Sequence, residues 1–452
     1  MKLELHPSAQ KAFDEQAAGF RTTLSTTLID QENEGTGRVF SNLYIDGEIS
    51  EKDVIGPITS SRTNAFGEEI ARFLYTPEGV VGIEGEAFRD LRRLAEKIQR
   101  TPDLRDAVSV ETVFSKLFEW VCASETFGDS HASATSFVLR ECEKSISTYR
   151  LLIPIYELFL EEPLQIGRVV LRPLTGDEID DWLRQISSSH PEMTSTFETE
   201  INRKRKEMQG RAVAEVSIVA ERQRAEEIAH AQTSDSLALL RLFSRAAFEP
   251  TETSFCVPLG RQHVEVSRHI LFQNGDYIGE SSKITNVGSG MFWTINREVS
   301  HIILDAGLRI LSNLLISPSL TDFEQKLLDS VFLYSRATLQ SELSERLLYI
   351  VVALESFMLR NNSEPILGNV AERVAFTIGR SSEERRQISR DIKAAYDLRS
   401  RFVHHGHASD DLACMRTFMR HAHTCLTTLV ANCHRFKTRD ELFEVLEERK
   451  FA

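Results

Sequence analysis

From Pro318 onward the sequence is divided into segments of helical period, and this succession restricts the fold more tightly than any other feature. TDFEQKLLDSVFLYSRATLQ, SELSERLLYIVVALESFMLRN, PILGNVAERVAFTIG, SEERRQISRDIKAAYDLRSRFVHH and DDLACMRTFMRHAHTCLTTLVANCHRF each repeat apolar residues three and four positions apart. That spacing gathers them on one face of an α-helix. Pro365 suits a helix start and Gly379 a helix end, while Ser381 with Glu384 and Thr438 with Glu441 have capping-box spacing. The pattern predicts an all-α domain of five or six helices over 318–452, the last one short and containing ELFEVLEERK. Its second helix, with Leu347, Ile350, Val351, Leu354, Phe357 and Met358, is apolar enough to stand at the centre of the bundle or in a dimer interface.

The preceding sequence reads differently. Residues 1–161 form a mainly helical N-terminal region, with EAFRDLRRLAEKIQR, VETVFSKLFEWVCASETF and ATSFVLRECEKSISTYRLLIPIYELFL as amphipathic helices and RVFSNLYIDGEIS (38–50) as a strand and turn. Pro163 and Gly167 introduce an α+β middle region, 162–317. There RVVLRPL and RAVAEVSIVAE read as strands, TGDEIDDWLRQI as a helix opened by Thr175 or Asp177, and RQRAEEIAHAQTSDSLALLRLFS as a long helix. Short strands between glycines fill 255–296. The fold class expected is therefore mixed, and 452 residues exceed what one compact core usually organises.

Several function classes recede. No apolar run reads as long enough to span a bilayer, and MKLELHPSAQKAFDEQ lacks a signal-peptide hydrophobic segment, so no membrane partner and a cytoplasmic location are expected. Cys122, Cys142, Cys256, Cys414, Cys425 and Cys433 contain no CxxC pair and are expected as reduced thiols. His421, Cys425, Cys433 and His434 fall on one predicted helix at spacings that fit no usual zinc pattern, so no metal and no cofactor is expected. NVGSGM (286–291) has no following Lys-Ser/Thr and reads as a turn. The basic run Arg203, Lys204, Arg205, Lys206 and Arg211 reads as a solvated face.

Against 67 Asp and Glu stand 53 Lys and Arg, a formal charge of −14 that argues against indiscriminate nucleic-acid binding. From Ser319 onward, however, 19 basic residues balance 19 acidic ones, and within 373–420 ten basic residues face six acidic. A local basic surface on an acidic protein suits selective contact with RNA.

The helix over 382–405 ends in a cluster of cationic and titratable side chains. Arg399 and His404 lie near one another at its C-terminal end, a guanidinium to hold phosphate and an imidazole to move a proton near neutral pH. The bare spacing recurs at Arg416 and His421, and with one residue more at Arg224 and His230. Tyr396, Arg399, Ser400, Val403, His404 and Gly406 distinguish the first by forming YxxRSxxVHxG. Over this last third, and more loosely over the middle third, the chain resembles the Apea-like branch of the HEPN superfamily, whose helical domains carry an R-x4-6-H ribonuclease motif. LLYIVVALESFMLR and VAERVAF resemble that branch's earlier helices. The family string places glycine directly after its histidine; His405 stands there, a second imidazole for the same role.

The resemblance implies an endoribonuclease that needs no metal. The RNA 2′-hydroxyl attacks the adjacent phosphorus, His404 assists proton transfer, and Arg399 holds the phosphate. Ser400, Tyr396 and Glu355 are supporting candidates, Glu355 by pairing with Arg399 or Arg373. Arg401, Lys393 and Arg373 are candidate RNA contacts. It further implies a homodimer or higher homo-oligomer, transfer RNA as substrate, and bacterial anti-phage defence by abortive infection. A phage-derived trigger would then act on the acidic 1–317 region as sensor or restraint. The rival reading is a non-catalytic HEPN module that binds RNA or protein. The toxin half of a nucleotidyltransferase pair is weakened by Gly406, which stands where that group has tyrosine.

Overall fold

The computed structural model describes residues 2–27, 59–76, 79–123, 133–189, 191, 194–254, 256–259, 266–273, 276–284, 293–361, 363–405 and 411–451. The strand expected at 38–50 and the turn at 286–291 lie outside them. The chain divides into two compact units, residues 1–149 with 217–228, and residues 150–216 with 229–452. Most of 162–317 therefore shares a unit with 318–452.

The first unit contains α1 (Pro7–Phe20), strands β1 (Ser25–Thr27), β2 (Thr59–Thr63), β3 (Glu69–Thr76) and β4 (Gly79–Glu84), then α2 (Gly85–Gln99), α3 (Pro102–Arg105), α4 (Val110–Cys122) and α5 (Ala134–Ser145). The strands form an antiparallel sheet in the order β1-β4-β3-β2. Reading 1–161 as mainly helical missed this sheet. Phe88, Leu91, Leu94, Ala95 and Ile98 recur at helical spacing along α2 and are all buried, joining Phe114, Leu117 and Phe118 of α4 in one core. The Phe88 and Phe114 rings meet edge-on with centroids 5.3 Å apart.

Next in the chain come β5 (Ser147–Pro154), β6 (Leu158–Leu160), β7 (Leu164–Ile166) and β8 (Val169–Pro173), then α6 (Gly176–Ser189), α7 (Thr194–Met208), β9 (Ala212–Ala220) and α8 (Arg222–Arg241), all of the second unit except residues 147–149 and 217–228. Its sheet runs β5-β9-β8-β7. The strands expected at 168–174 and 211–221 are β8 and β9, paired antiparallel with Leu171 opposite Ala214. Thr175 caps α6, its Oγ1 accepting from the Glu178 N–H at 3.3 Å. β10 (Val266–Gln273) and β11 (Asp276–Ile284) make a hairpin, and β12 (Trp293–Ile295) runs parallel to β6.

α9 (Arg297–Ile303) and α10 (Arg309–Ile316) follow, joined by a π-helical turn at Leu304–Leu308. Gly307 there has φ 128°, and a Cβ on it would lie 2.8 Å from Val430 Cγ1, so both backbone and neighbour require glycine. By length and composition Arg297–Ile316 is apolar enough to cross a membrane. That corrects the expectation that no run is long enough.

Six helices complete the described chain: α11 (Asp322–Ala337), α12 (Leu343–Met358), α13 (Ile366–Ile378), α14 (Ser382–His405), α15 (Leu412–Ala431) and α16 (Arg439–Phe451). Thr321 and Glu324 form a complete capping box at α11. Ser381 Oγ accepts from the Glu384 N–H at 3.1 Å at α14, and Thr438 Oγ1 from the Glu441 N–H at 3.3 Å at α16. α12 packs against α11, α13, α14 and α15. The six apolar residues that mark it in the sequence are fully buried.

Cations reinforce this core in an unusual way. Arg346 on α12 is wholly buried and has no carboxylate partner among the described residues. Its guanidinium donates to the carbonyls of Gln340 (2.6 Å), Pro250 (3.1 Å) and Glu249 (3.3 Å) and to Thr253 Oγ1 (3.3 Å). Burial pulls its pKa down to about 10, so it remains a cation at neutral pH. Tyr334 adds a hydrogen bond to the Ala247 carbonyl at 2.5 Å. The irregular segment 247–253 is thus fastened to the bundle by side chains.

Candidate active site

α14 carries the motif because its inner face is apolar. Ile388, Ile392 and Ala395 are buried, and the helix packs on α12, α13 and α15. That face turns Tyr396 inward, 8% exposed, and leaves Arg399 half-buried one turn later. Ser400, Arg401 and His404 are exposed on the outer side, and Val403 is 47% exposed. The helix ends at His405, whose side chain, like Gly406, lies outside the described residues.

Glu355 reaches the same place from α12. The Tyr396 phenol has its pKa raised by burial first, then by the negative charge and hydrogen-bond acceptance of Glu355, with Arg399 opposing. The approach of phenol to carboxylate falls outside ordinary hydrogen-bond geometry. Tyr396 Oη and Arg399 Nε are both buried with no hydrogen-bond partner among the described residues. Donors left in this condition are costly in a finished core. Among the described residues no ion pair joins Glu355 to Arg399 or Arg373, so the expected pairing is replaced by this Glu355–Tyr396–Arg399 grouping.

The second Arg-x4-His occurrence behaves differently. Arg416 forms a bidentate pair with Glu249, at 2.8–3.1 Å, and His421 Nε2 lies 3.0 Å from Asp391 Oδ2. Both groups are engaged by acids, whereas among the described residues neither Arg399 nor His404 is.

Of the three expected RNA contacts, Arg401 and Lys393 are exposed on α14. Arg373 is not available in that way. It makes a bidentate pair with Glu364 at 2.8 and 2.9 Å, donates to the Met358 carbonyl, and stacks on Phe443 at 4.1 Å. Arg449 and Lys450 of α16, outside the basic stretch at 373–420, come instead to the side of α14 near Lys393. Their only signal in the sequence is a pair of cations in the last turn of a helix.

The Glu364–Arg373 clamp makes stability depend on acid. The hydrogen bonds from Arg373 hold the Glu364 carboxyl down at about 2, against the opposing effect of burial. A depressed carboxyl contributes above its ordinary pKa, and the contribution is lost as pH falls toward the folded value. Glu364→Gln is expected to remove about 1–2 kcal/mol at neutral pH and to flatten the stability profile between pH about 4.5 and about 2. Thermal melts of both proteins across that window check it.

Among the described residues no three His, Cys, Asp or Glu side chains converge to hold a metal ion. Cys425 and Cys433 are buried, and burial pushes both thiols up. No protein-family model, curated protein or solved structure matches the chain.

Proposed function

We propose that the chain is a HEPN-type endoribonuclease that cleaves RNA, with transfer RNA as its substrate class, and acts in bacterial anti-phage defence. The observation that carries the reading is the contrast between two identical spacings: Arg416 and His421 are taken up by acids, while among the described residues neither Arg399 nor the exposed His404 has an acid partner. The resemblance of YxxRSxxVHxG to the Apea-like HEPN motif supplies the chemistry.

In that chemistry the 2′-oxygen forms a bond to phosphorus as its proton leaves, and the bond from phosphorus to the 5′-oxygen breaks as that oxygen gains a proton. The products are a 2′,3′-cyclic phosphate and a 5′-hydroxyl. His404 moves a proton, and Arg399 binds a non-bridging oxygen as charge develops on it. Glu355 and Tyr396 position the guanidinium from the inner side, and Ser400 borders it on the outer. A second copy of the chain facing the first would supply a second Arg–His pair to one cleft.

The test is incubation of the wild-type protein and of His404→Ala with total tRNA in EDTA, reading fragments and their 3′ ends. Wild type is expected to give cyclic-phosphate ends, and His404→Ala to lose about 10²–10⁴-fold in rate. Equal cleavage by both removes His404 from the chemistry. No cleavage by either full chain, or by wild type with phage lysate added as a source of trigger, leaves the non-catalytic binding module as the reading.

A further inference from the structure

A second cationic feature occupies the other half of α14. Between α13, the first half of α14 and the end of α16 lies an open cavity of about 680 Å³. Among the described residues six of its lining side chains are cations, Arg385, Arg386, Arg390, Lys393, Arg449 and Lys450, and one is an acid, Glu372. Glu372 is taken by Lys450 at 2.8 Å. Arg385 donates to the Gly379 carbonyl and lies over the Phe376 ring at 4.6 Å, and Arg390 donates to Gln387 Oε1. Arg386, Lys393 and Arg449 are exposed and have no ion pair among the described residues.

Gathering these charges has a cost. Arg386 and Arg390 are four residues apart on one helix, and Arg390 and Lys393 three, so both are like-charge neighbours that weaken the helix. The tertiary fold then brings two more cations to them from α16, in a chain whose formal charge is −14. A bound polyanion turns that repulsion into attraction. Four of the six cations are arginines, whose planar forks suit phosphate oxygens.

The lining also indicates which polyanion. Its apolar members are Ala375 and Phe376, and Phe376 is covered by Arg385. A protein partner is held by buried aromatic or aliphatic anchors, which this wall does not offer. A sugar–phosphate strand needs cations and neutral donors along its path. Asn369, Ser382 and Ser389 supply those donors on the same wall.

We propose that this groove binds the backbone of single-stranded RNA, as a holding site separate from Arg399 and His404. Lys393 and His404 are eleven residues apart on one helix, about 16 Å along its axis, so a strand held in the groove needs only a short further run to reach the motif. The inference rests on the reading of the chain as an RNA-acting protein, not on cleavage.

The test measures binding of a fluorescent oligouridylate by anisotropy, in a His404→Ala background so that the probe stays whole. Adding Arg386→Ala, Lys393→Ala and Arg449→Ala together is expected to weaken binding at least tenfold at low salt. It is also expected to reduce the slope of log K against log salt by about 2, near 0.7 for each of three phosphate contacts. All three side chains are exposed, and two of them repel Arg390, so the thermal midpoint should hold or rise and not fall. Unchanged affinity and slope, or no binding of the oligouridylate before the triple change, overturns the proposal. Displacement of RNA by polyglutamate at the concentrations at which polyphosphate displaces it overturns the choice of phosphate ligand. If the wild-type chain never cleaves RNA yet the triple variant loses binding, the ribonuclease reading falls and the groove stands. If wild type cleaves and the triple variant binds as before, the groove alone falls.

Discussion

Arg399→Lys is expected to lower the rate of RNA cleavage by about 10²–10³-fold while leaving RNA affinity and thermal stability nearly unchanged. Charge is conserved, so any loss reports geometry. The guanidinium is planar, lies near Tyr396, and has no hydrogen-bond partner at Nε among the described residues. A phosphate can then be met by two parallel hydrogen bonds whose direction is fixed before it arrives. Lysine brings a single ammonium on a more flexible stem and cannot reproduce that fork. Single-turnover rates across a range of RNA concentrations separate the two effects, because loss of positioning lowers the maximal rate and not the half-saturating concentration. A maximal rate within about threefold of wild type would show that Arg399 contributes only its charge to cleavage.

Arg346→Met is expected to destabilise the second unit by about 3–5 kcal/mol and to lower its melting temperature by about 10 °C. The usual argument that a buried charge is replaceable by an apolar residue applies when its partners are replaced too. Here the partners are main-chain carbonyls of Gln340, Glu249 and Pro250. No substitution removes them: the Glu249 carbonyl keeps the Glu252 N–H as a donor at 3.2 Å, while those of Gln340 and Pro250 lose theirs at a cost of about 1–3 kcal/mol each. Methionine fills much of the volume, so the loss measures hydrogen bonding more than a cavity. Calorimetry of the whole chain reads it, and a shift under about 2 °C would mean that water or a neighbouring donor takes over the carbonyls.

The helices from α11 to α16 are legible because their signals are local. Thr321 with Glu324, Ser381 with Glu384 and Thr438 with Glu441 state where helices begin, and the apolar period states which face is buried. The sheet of the first unit is not legible by those means. β1 is three residues long, and its partner β4 lies 57 positions away at the Ser25–Gly82 register pair. Nothing near Ser25 in the sequence announces that pairing. The site divides along the same line. Arg399 and His404 stand out as a string, and Glu355 as an acid on an apolar helix. The commitment of Arg373 to Glu364, across the connection between α12 and α13, depends on how that connection folds. So does the arrival of Arg449 and Lys450 beside α14, which the packing of α16 on α13 brings about.

Gly307 changes what the apolar stretch Arg297–Ile316 amounts to. An unbroken helix of 20 residues is about 30 Å long, the thickness of a bilayer's hydrocarbon layer. With φ at 128° in its middle, the stretch becomes two rods, Arg297 to Ala306 and Leu308 to Ile316, of about 15 Å and 14 Å. Each reaches about half the depth of that layer. The glycine that makes the break is also the point where the backbone comes against Val430 of α15. In this conformation the residues whose composition resembles a membrane span have the dimensions of a bent brace lying along a helical bundle.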